Sequence, residues 1–444
     1  MRVANFEDTG LKRLEAWLER NKGNSTPVDE LSLMEVLRTV SISFILEGID
    51  RVQSTLICEL KDSYVQQSQR YVALSQDAYN LPALDENDDR EGQSLFARAF
   101  HLYGQMSALK EGGFQGRPKE EHYLYGIPIE DARYILPLAA KTNISVAIAG
   151  DKLFAFFRLL RDQAYGNTFA DLVAALAEFL PAGLAALLPD DFDSRPRQAL
   201  AEDFYSEYFT RINDRDNVVF FDSFQDLTLK AGLGALTSTS KDPPSVILEK
   251  WGPDHPEKAR GVVERVLGYG HESIAEQART TFGLMCSMVT YHQQLRHRLY
   301  QNYREDLVAL IRDTERAVKI PDSIRRSVFC PEFQRLADEF KAFRAAVERK
   351  YGADKALPFL LNCDQIRLIT TSNARADAMM LKERTCMNAQ WEIRDLARKK
   401  LACLRKRSPV LYEKALPSCV YGKCREGNLS CGRQTEVRNW FLGS

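Results

Sequence analysis

The sequence predicts a mixed α/β protein of two domains, with more helix than sheet. At 444 residues the chain is too long for one ordinary core and suits two of about 200 residues each. Helical periodicity dominates: apolar residues in Leu31–Leu37 and Glu257–Leu267 are spaced for one helical face, the latter through Val262, Val263, Val266 and Leu267. Strand-like runs are few and short.

In chain order, Val40–Leu46 reads as a strand and the polar run Asp85–Gln93 as a long loop. The Ala/Leu-rich stretch Phe169–Pro189 is interrupted by Asp171, Glu178, Pro181 and Gly183, too broken to span a bilayer. A boundary is expected near residues 205–217, where the polar run RINDRDN precedes the strand-like Val218–Phe221. This predicts domains at 1–212 and 213–444. Pro256 suits the first turn of the Glu257–Leu267 helix, and Val410–Tyr412 reads as a further strand. The halves look distantly repeated, each with an Arg-containing polar segment, a Leu-Pro pair (Leu136-Pro137, Leu357-Pro358) and a second amphipathic helix. A repeat this long points to duplication rather than to a solenoid.

Hydrophobic content of 45% with 27% charge is that of a globular protein, and a net charge of −1 gives no global attraction to nucleic acid or membrane. The charged N-terminus lacks the apolar run of a signal peptide, so a cytoplasmic protein is expected. Nine scattered cysteines read as reduced thiols.

Three clusters bear chemistry. Four of the six histidines, His255, His271, His292 and His297, fall in one stretch that also holds Gly270-His271-Glu272-Ser273, Gln293 and Arg296-His297-Arg298. An isolated Arg-His-Arg would read as a solvated basic patch; with the upstream groups it offers directed donors to an anionic or heteroaromatic ligand. The second cluster is Ser68-Gln69-Arg70-Tyr71, preceded by Ser63, Gln66 and Gln67, a density of hydroxyl, amide and guanidinium groups that suits a phosphate. Arg133 supplies a second guanidinium or, alternatively, a surface ion pair with Glu130. The third is Asn373-Ala374-Arg375, then Arg384 and Ala389-Gln390-Trp391-Glu392-Ile393-Arg394; its members read equally as helix cap, surface charge and core packing. There is no Gly-rich phosphate loop of common spacing and no defensible Ser-His-Asp set. The residues alone indicate a protein that binds anionic, nucleotide-like ligands.

These segments, in this order, resemble flavin-dependent thymidylate synthases. That family carries RHR-x2-S-x-N-E-x-S-x-R-Y, with G-H-x-S/T-x2-E-H upstream and A-R-x2-L-P, N-x-R, L-R and A-Q-W-E-I downstream. In the second half, Gly270 to Glu276 matches the upstream motif with Gln277 in place of its last His, and Gln293 and Arg296-His297-Arg298 match at the family spacing. The match then breaks: Asp306 to Ala309 stand where S-x-R-Y belongs, and Asp354 stands where the phosphate-binding Arg belongs. Asn373, Arg375, Arg384 and the AQWEIR run are intact. The first half fails in the opposite places. Cys58-Glu59-Leu60 replace RHR, yet Ser63, Ser68 to Tyr71 and Ala132 to Pro137 follow in register, while the later Asn, Arg and Arg positions hold Ala149, Asp151 and Leu160.

The losses are complementary, and random decay would not be expected to spare one full set between two copies. The resemblance implies an α/β (α+β) fold of two tandem thymidylate synthase-like domains, each a small sheet with long flanking helices. It implies methylation of dUMP to dTMP with FAD as cofactor and NADPH and methylenetetrahydrofolate as co-substrates. It assigns Ser68, Gln69, Arg70, Arg133, Gln293 and Arg384 to the nucleotide; Ser238, His271, Arg296, His297, Arg298, Asn373 and Arg375 to FAD; and Arg384, Gln293 and Arg296 to catalysis. The family's tetramers imply a homodimer acting as a pseudo-tetramer. The tail from about residue 416, with Cys419, Cys424 and Cys431, resembles a cysteine-bearing extension of some members; a zinc site there would want Cys386 or Cys403 as fourth ligand. Two alternatives stand beside this reading: a sister enzyme acting on another pyrimidine nucleotide, since Gln66 replaces the family's usual Glu, and a non-catalytic nucleotide-binding scaffold.

Overall fold

The computed structural model describes residues 1–23, 28–111, 118–185 and 192–443. It contains two four-stranded sheets, one ordered β1-β2-β4-β3 and the other β5-β6-β8-β7. The strands are β1 Arg2–Thr9, β2 Ser41–Asp50, β3 Ser63–Gln66, β4 Lys141–Ala149, β5 Val218–Ser223, β6 Arg279–Ser287, β7 Gln301–Arg304 and β8 Gln365–Asn373. Eight helices frame the candidate site residues: α1 Arg51–Glu59, α2 Glu86–Met106, α3 Leu227–Thr239, α4 His255–Gly268, α5 Met288–Gln294, α6 Cys330–Tyr351, α7 Ala374–Arg384 and α8 Trp391–Arg407. No helix among the described residues is long and apolar enough to cross a membrane. The Ala/Leu-rich stretch begins with the short helices Ala170–Leu176 and Ala182–Ala185; its part from 186 onward lies outside the described residues.

The chain forms two compact units, and neither is a single run of sequence. The first comprises Met1–Phe204, Ser287–Arg296 and Asp306–Gln365; the second comprises Tyr205–Cys286, His297–Glu305 and Ile366–Ser444.

In the first unit, β2 and β4 pair antiparallel and bury alternate residues, so Ile42, Phe44 and Leu46 stand opposite Ile148, Val146 and Ile144 on one buried face. The register shifts between Leu46 and Ile49, where Gly48 adopts φ +72°, and the extra residue returns Ile49 to the buried face. α1 follows directly, started by a capping box between Asp50 and Gln53. The expected loop Asp85–Gln93 is instead the start of α2. Glu86, Asp88 and Asp89 fill its first turn, where acidic side chains complement the helix dipole, so polarity there marks a helix N-terminus. Gly92, within that helix, lies against Phe359: a Cβ there would meet that ring at 3.1 Å. Phe96, on α2, stacks on Phe340 of α6 and on Phe359. The Leu-Pro segment of the first half pairs with a segment of the second: Pro137 bridges Leu361, Leu138 N–H donates to Leu360 O at 2.7 Å, and Asn362 N–H donates to Leu136 O at 2.9 Å.

The second unit packs α3, α4, α7 and α8 around one apolar cluster that includes Leu227, Val263, Ile274, Phe282, Leu381 and Leu404. α4 begins at His255 with Pro256 in its first turn, as its sequence predicts. Val410–Tyr412 is not a strand but the end of a helical turn, Pro409–Tyr412, that buries Leu411 and Tyr412. Three apolar residues carry no period that separates strand from helix, and Pro409 at its start favours the turn.

Candidate active site

The first unit holds Ser68, Gln69, Arg70, Arg133, Gln293 and Arg296; the second holds Ser238, His271, His297, Arg298, Asn373, Arg375 and Arg384.

Residues Ser68–Val72 turn out of β3, with Tyr71 and Val72 amides donating to Ser68 O and the Arg70 amide to Ser68 Oγ at 3.2 Å. Arg70 Nε donates to Glu130 Oε2 at 2.6 Å. Glu130 therefore answers Arg70, not Arg133. Arg133 is no surface residue: it is buried, and its Nε donates to the Glu130 backbone carbonyl at 3.1 Å. Asn362 ties the cluster together, its Nδ2 donating to Arg133 O at 2.9 Å and lying 3.4 Å from Gln69 Oε1. α5 hangs from the same segment, since the Val289 amide donates to Asn362 O at 3.2 Å, and it carries the buried Gln293, whose Nε2 lies 3.4 Å from Val289 O. Residues separated by over two hundred positions thus meet within one unit.

Sequence reasoning passed over Arg51 and Thr55 at this centre and gave His292 no role of its own. Arg51, first in α1, is buried, and its Nη2 lies 2.5 Å from Nδ1 of the buried His292. An arginine only donates, so Nδ1 accepts and the His292 proton sits on Nε2. That Nε2–H faces Thr55 Oγ1, which donates onward to Arg51 O at 2.5 Å. Burial, then the charges of Arg51, Arg133 and Arg296, hold the His292 imidazole well below its ordinary range, so it is neutral. Burial, with Arg133 and Arg296 nearby, also pulls the Arg51 guanidinium down, and burial does the same to Arg133. Buried Arg51 Nε, Arg133 Nη2 and Gln69 Nε2 have no hydrogen-bond partner among the described residues. A signal was available: a cation at a helix's first position opposes the helix dipole and asks for a reason.

In the second unit, Gly270 closes α4 with φ +82°; His271 N–H donates to Val266 O and Gly270 N–H to Leu267 O, a left-handed stop that leaves His271 exposed. The Gly-His pair is thus a helix terminus as well as a motif. Arg384 Nε donates to His297 Nε2 at 2.8 Å, which makes Nε2 the acceptor. Asn373 caps α7, accepting from Ala376 N–H at 2.9 Å, so the cap reading holds for that residue. Arg375 meets Glu276 at 2.6 Å and lies 3.9 Å from Glu272, while its buried Nε makes no hydrogen bond among the described residues. Arg298 and Ser238 are exposed. Asp377, fully buried, pairs with Lys400 at 2.7 Å and accepts from Tyr300 Oη and Ser372 Oγ, anchoring the turn after Arg298 to α7.

Cys419 is buried in the apolar cluster, Cys424 and Cys431 are half-buried, and all are free. Burial pushes the Cys419 and Cys386 thiols up, with Cys431 close to both; Cys403 instead faces Arg407, at 2.8 Å. Among the described residues no three His, Cys, Asp or Glu side chains are arranged to hold a metal ion.

The family model described as "Thymidylate synthase complementing protein" matches the chain twice, over residues 24–177 and 233–410. The chain belongs to this family. Its repeated match agrees with the two sheets and with a tandem, duplicated member. Curated relatives named flavin-dependent thymidylate synthase include one from Geobacter sulfurreducens, 34% identical over 187 residues (40% of this chain, 79% of the relative). Another, from Clostridium tetani, is 30% identical over 207 residues (42% and 82%). A third, from Thermococcus kodakarensis, is 35% identical over 185 residues (38% and 76%). Each relative matches about two-fifths of this tandem synthase-family chain, the share expected of one copy.

Proposed function

We propose that this protein methylates dUMP to dTMP, drawing the one-carbon unit from methylenetetrahydrofolate and reducing equivalents from NADPH through FAD, at a site composed from both halves of the chain. The observation that carries the reading is the buried cationic centre in which Gln69 and Arg133 of the first half share Asn362 and α5 of the second. Such a centre suits a phosphate monoester, because Arg grips two oxygens at once and buried donors without acceptors favour an anion. In this reading Ser68, Gln69, Arg70 and Arg133 hold the phosphate and Gln293 orients the nucleotide. Arg384, polarised against His297, favours the negative charge that builds on the pyrimidine. The cationic and amide groups at His271, Arg296, Arg298, Asn373 and Arg375 fit the polar edge and diphosphate of a flavin, with Arg375 Nε, which makes no hydrogen bond among the described residues, a donor of suitable chemistry. Bound FAD would supply the hydride; the chain's part is binding, orientation and electrostatics. We further infer a cytoplasmic homodimer acting as a pseudo-tetramer, with halves 1–212 and 213–444 as the duplicated copies.

The test is an anaerobic single turnover: photoreduced, FAD-loaded protein is mixed with dUMP and methylenetetrahydrofolate, and products are read by mass spectrometry. Formation of dTMP with flavin reoxidation is expected. Bound flavin without dTMP would overturn dUMP as substrate, and the same assay with dCMP and UMP would then find the true one. Gln66 favours running that comparison, since its amide is already committed to Ser54 Oγ at 2.9 Å. For the division of roles, Arg70→Ala is expected to raise the nucleotide KM about tenfold or more with flavin retained. His297→Ala is expected to lower flavin occupancy; equal flavin loss in both variants would sink the division.

A further inference from the structure

A buried arginine ordinarily has a carboxylate or several carbonyls to answer its charge. Arg51 has neither. It is 5% exposed, forms no ion pair among the described residues, spends Nη2 on a neutral imidazole and leaves Nε without a partner. The adjacent carboxylate does not help, because Asp50 turns Oδ1 to the Gln53 amide at 2.8 Å as the cap of α1. Arg51 also stands at the first position of that helix, where a cation meets the positive end of the dipole. Burial, missing counter-charge and dipole all oppose a cation here, and an anion relieves all three.

The location points to which anion. The Arg51 amide donates to Leu138 O at 2.8 Å, placing α1 against the segment that begins at Arg133. His292 joins Arg51 to α5, next to Gln293 and one turn before Arg296. Three guanidiniums, those of Arg51, Arg133 and Arg296, therefore border one region of the first unit, and none of the three has an ion pair among the described residues. We infer that Arg51 is a further phosphate-binding residue for the nucleotide, aimed by His292 and Thr55 as positioning residues, and that the pocket takes a dianionic phosphate monoester. This rests on the nucleotide reading above and adds a guanidinium that none of the motifs contains.

The experiment compares the full chain with Arg51→Gln and Arg51→Lys by calorimetric titration with dUMP, deoxyuridine and inorganic phosphate, and by melting each protein without ligand. The expected result is at least a tenfold loss of dUMP affinity in Arg51→Gln, a smaller loss in Arg51→Lys, and unchanged deoxyuridine binding. The ligand-free Tm of Arg51→Gln should hold or rise, because an unanswered buried charge has gone. Thr55→Val should weaken dUMP binding in the same direction, since it removes the acceptor that orients His292. Wild-type affinity for dUMP retained in Arg51→Gln would overturn the inference while leaving the nucleotide reading intact. No dUMP binding by the parent protein would instead overturn that reading. Tight binding of inorganic phosphate alone, with dUMP binding no tighter than deoxyuridine, would reassign the pocket to a free anion. Failure of both Arg51 variants to fold would mark the residue as structural and end the proposal.

Discussion

His292 shows how a single residue's chemistry follows from its neighbours. An arginine on one nitrogen and a threonine on the other fix its tautomer, and burial among cations keeps it neutral. Its folded value lies below the unfolded one near 6.5, so below that pH the unfolded chain takes a proton that the folded chain refuses. Stability from this group is full above about pH 6.5 and is lost as pH falls, by at most about 1.4 kcal/mol per pH unit. We predict that wild type loses more stability than His292→Gln between pH 7 and pH 5, measured by urea unfolding; parallel pH profiles would refute this. The sequence displayed His292 among its neighbours but not its role, because the partners Arg51 and Thr55 lie more than two hundred positions away and belong to no motif.

Elements were legible where their pattern was long and hidden where it was short or functional. β2, β5 and α4 follow from periodicity and turn chemistry, while the start of α2 was masked by the polarity of its first turn. Val410–Tyr412 was misread as a strand for lack of length. At this scale the buried pair Asp377–Lys400 matters most, because it joins α7, α8 and the turn after Arg298 through fully buried atoms. Asp377→Asn leaves Lys400 an unanswered buried charge and should cost about 3–5 kcal/mol in denaturant unfolding. Removing both charges together in Asp377→Leu/Lys400→Met should cost less than the single change if that charge is the cause; an equal or larger cost would place the loss in the lost hydrogen bonds from Tyr300 and Ser372 instead.

For the whole molecule, the family and the duplication were legible because ordered motifs survive point changes, and the complementary losses motivate the divided site proposed above. Which segments fold together was not legible: nothing local in Ser287–Arg296 or Asp306–Gln365 says that they complete the first unit. If the two copies share one complete residue set, a chain should take up at most one FAD and one dUMP. Flavin absorbance and nucleotide titration on protein of known molar mass by light scattering would check this, and two equivalents per chain would count against a divided set. The same scattering measurement reports whether the mass is that of a dimer.

The threading of the first unit has a consequence for how the protein is made. Its segments end at residue 365, although its opening run ends at Phe204. A ribosome adding about 5–20 residues per second needs on the order of ten to thirty seconds to cover that gap. For most of that time the nascent chain carries α2 without α6, on which its Phe96 stacks, and for about the first half of it α1 without His292 of α5. A truncated message ending near residue 212 is therefore expected to yield a ward of the chaperones, and because the second half lends Ser287–Arg296 and Asp306–Gln365 to the first unit, a single cut in the gene does not separate the two units.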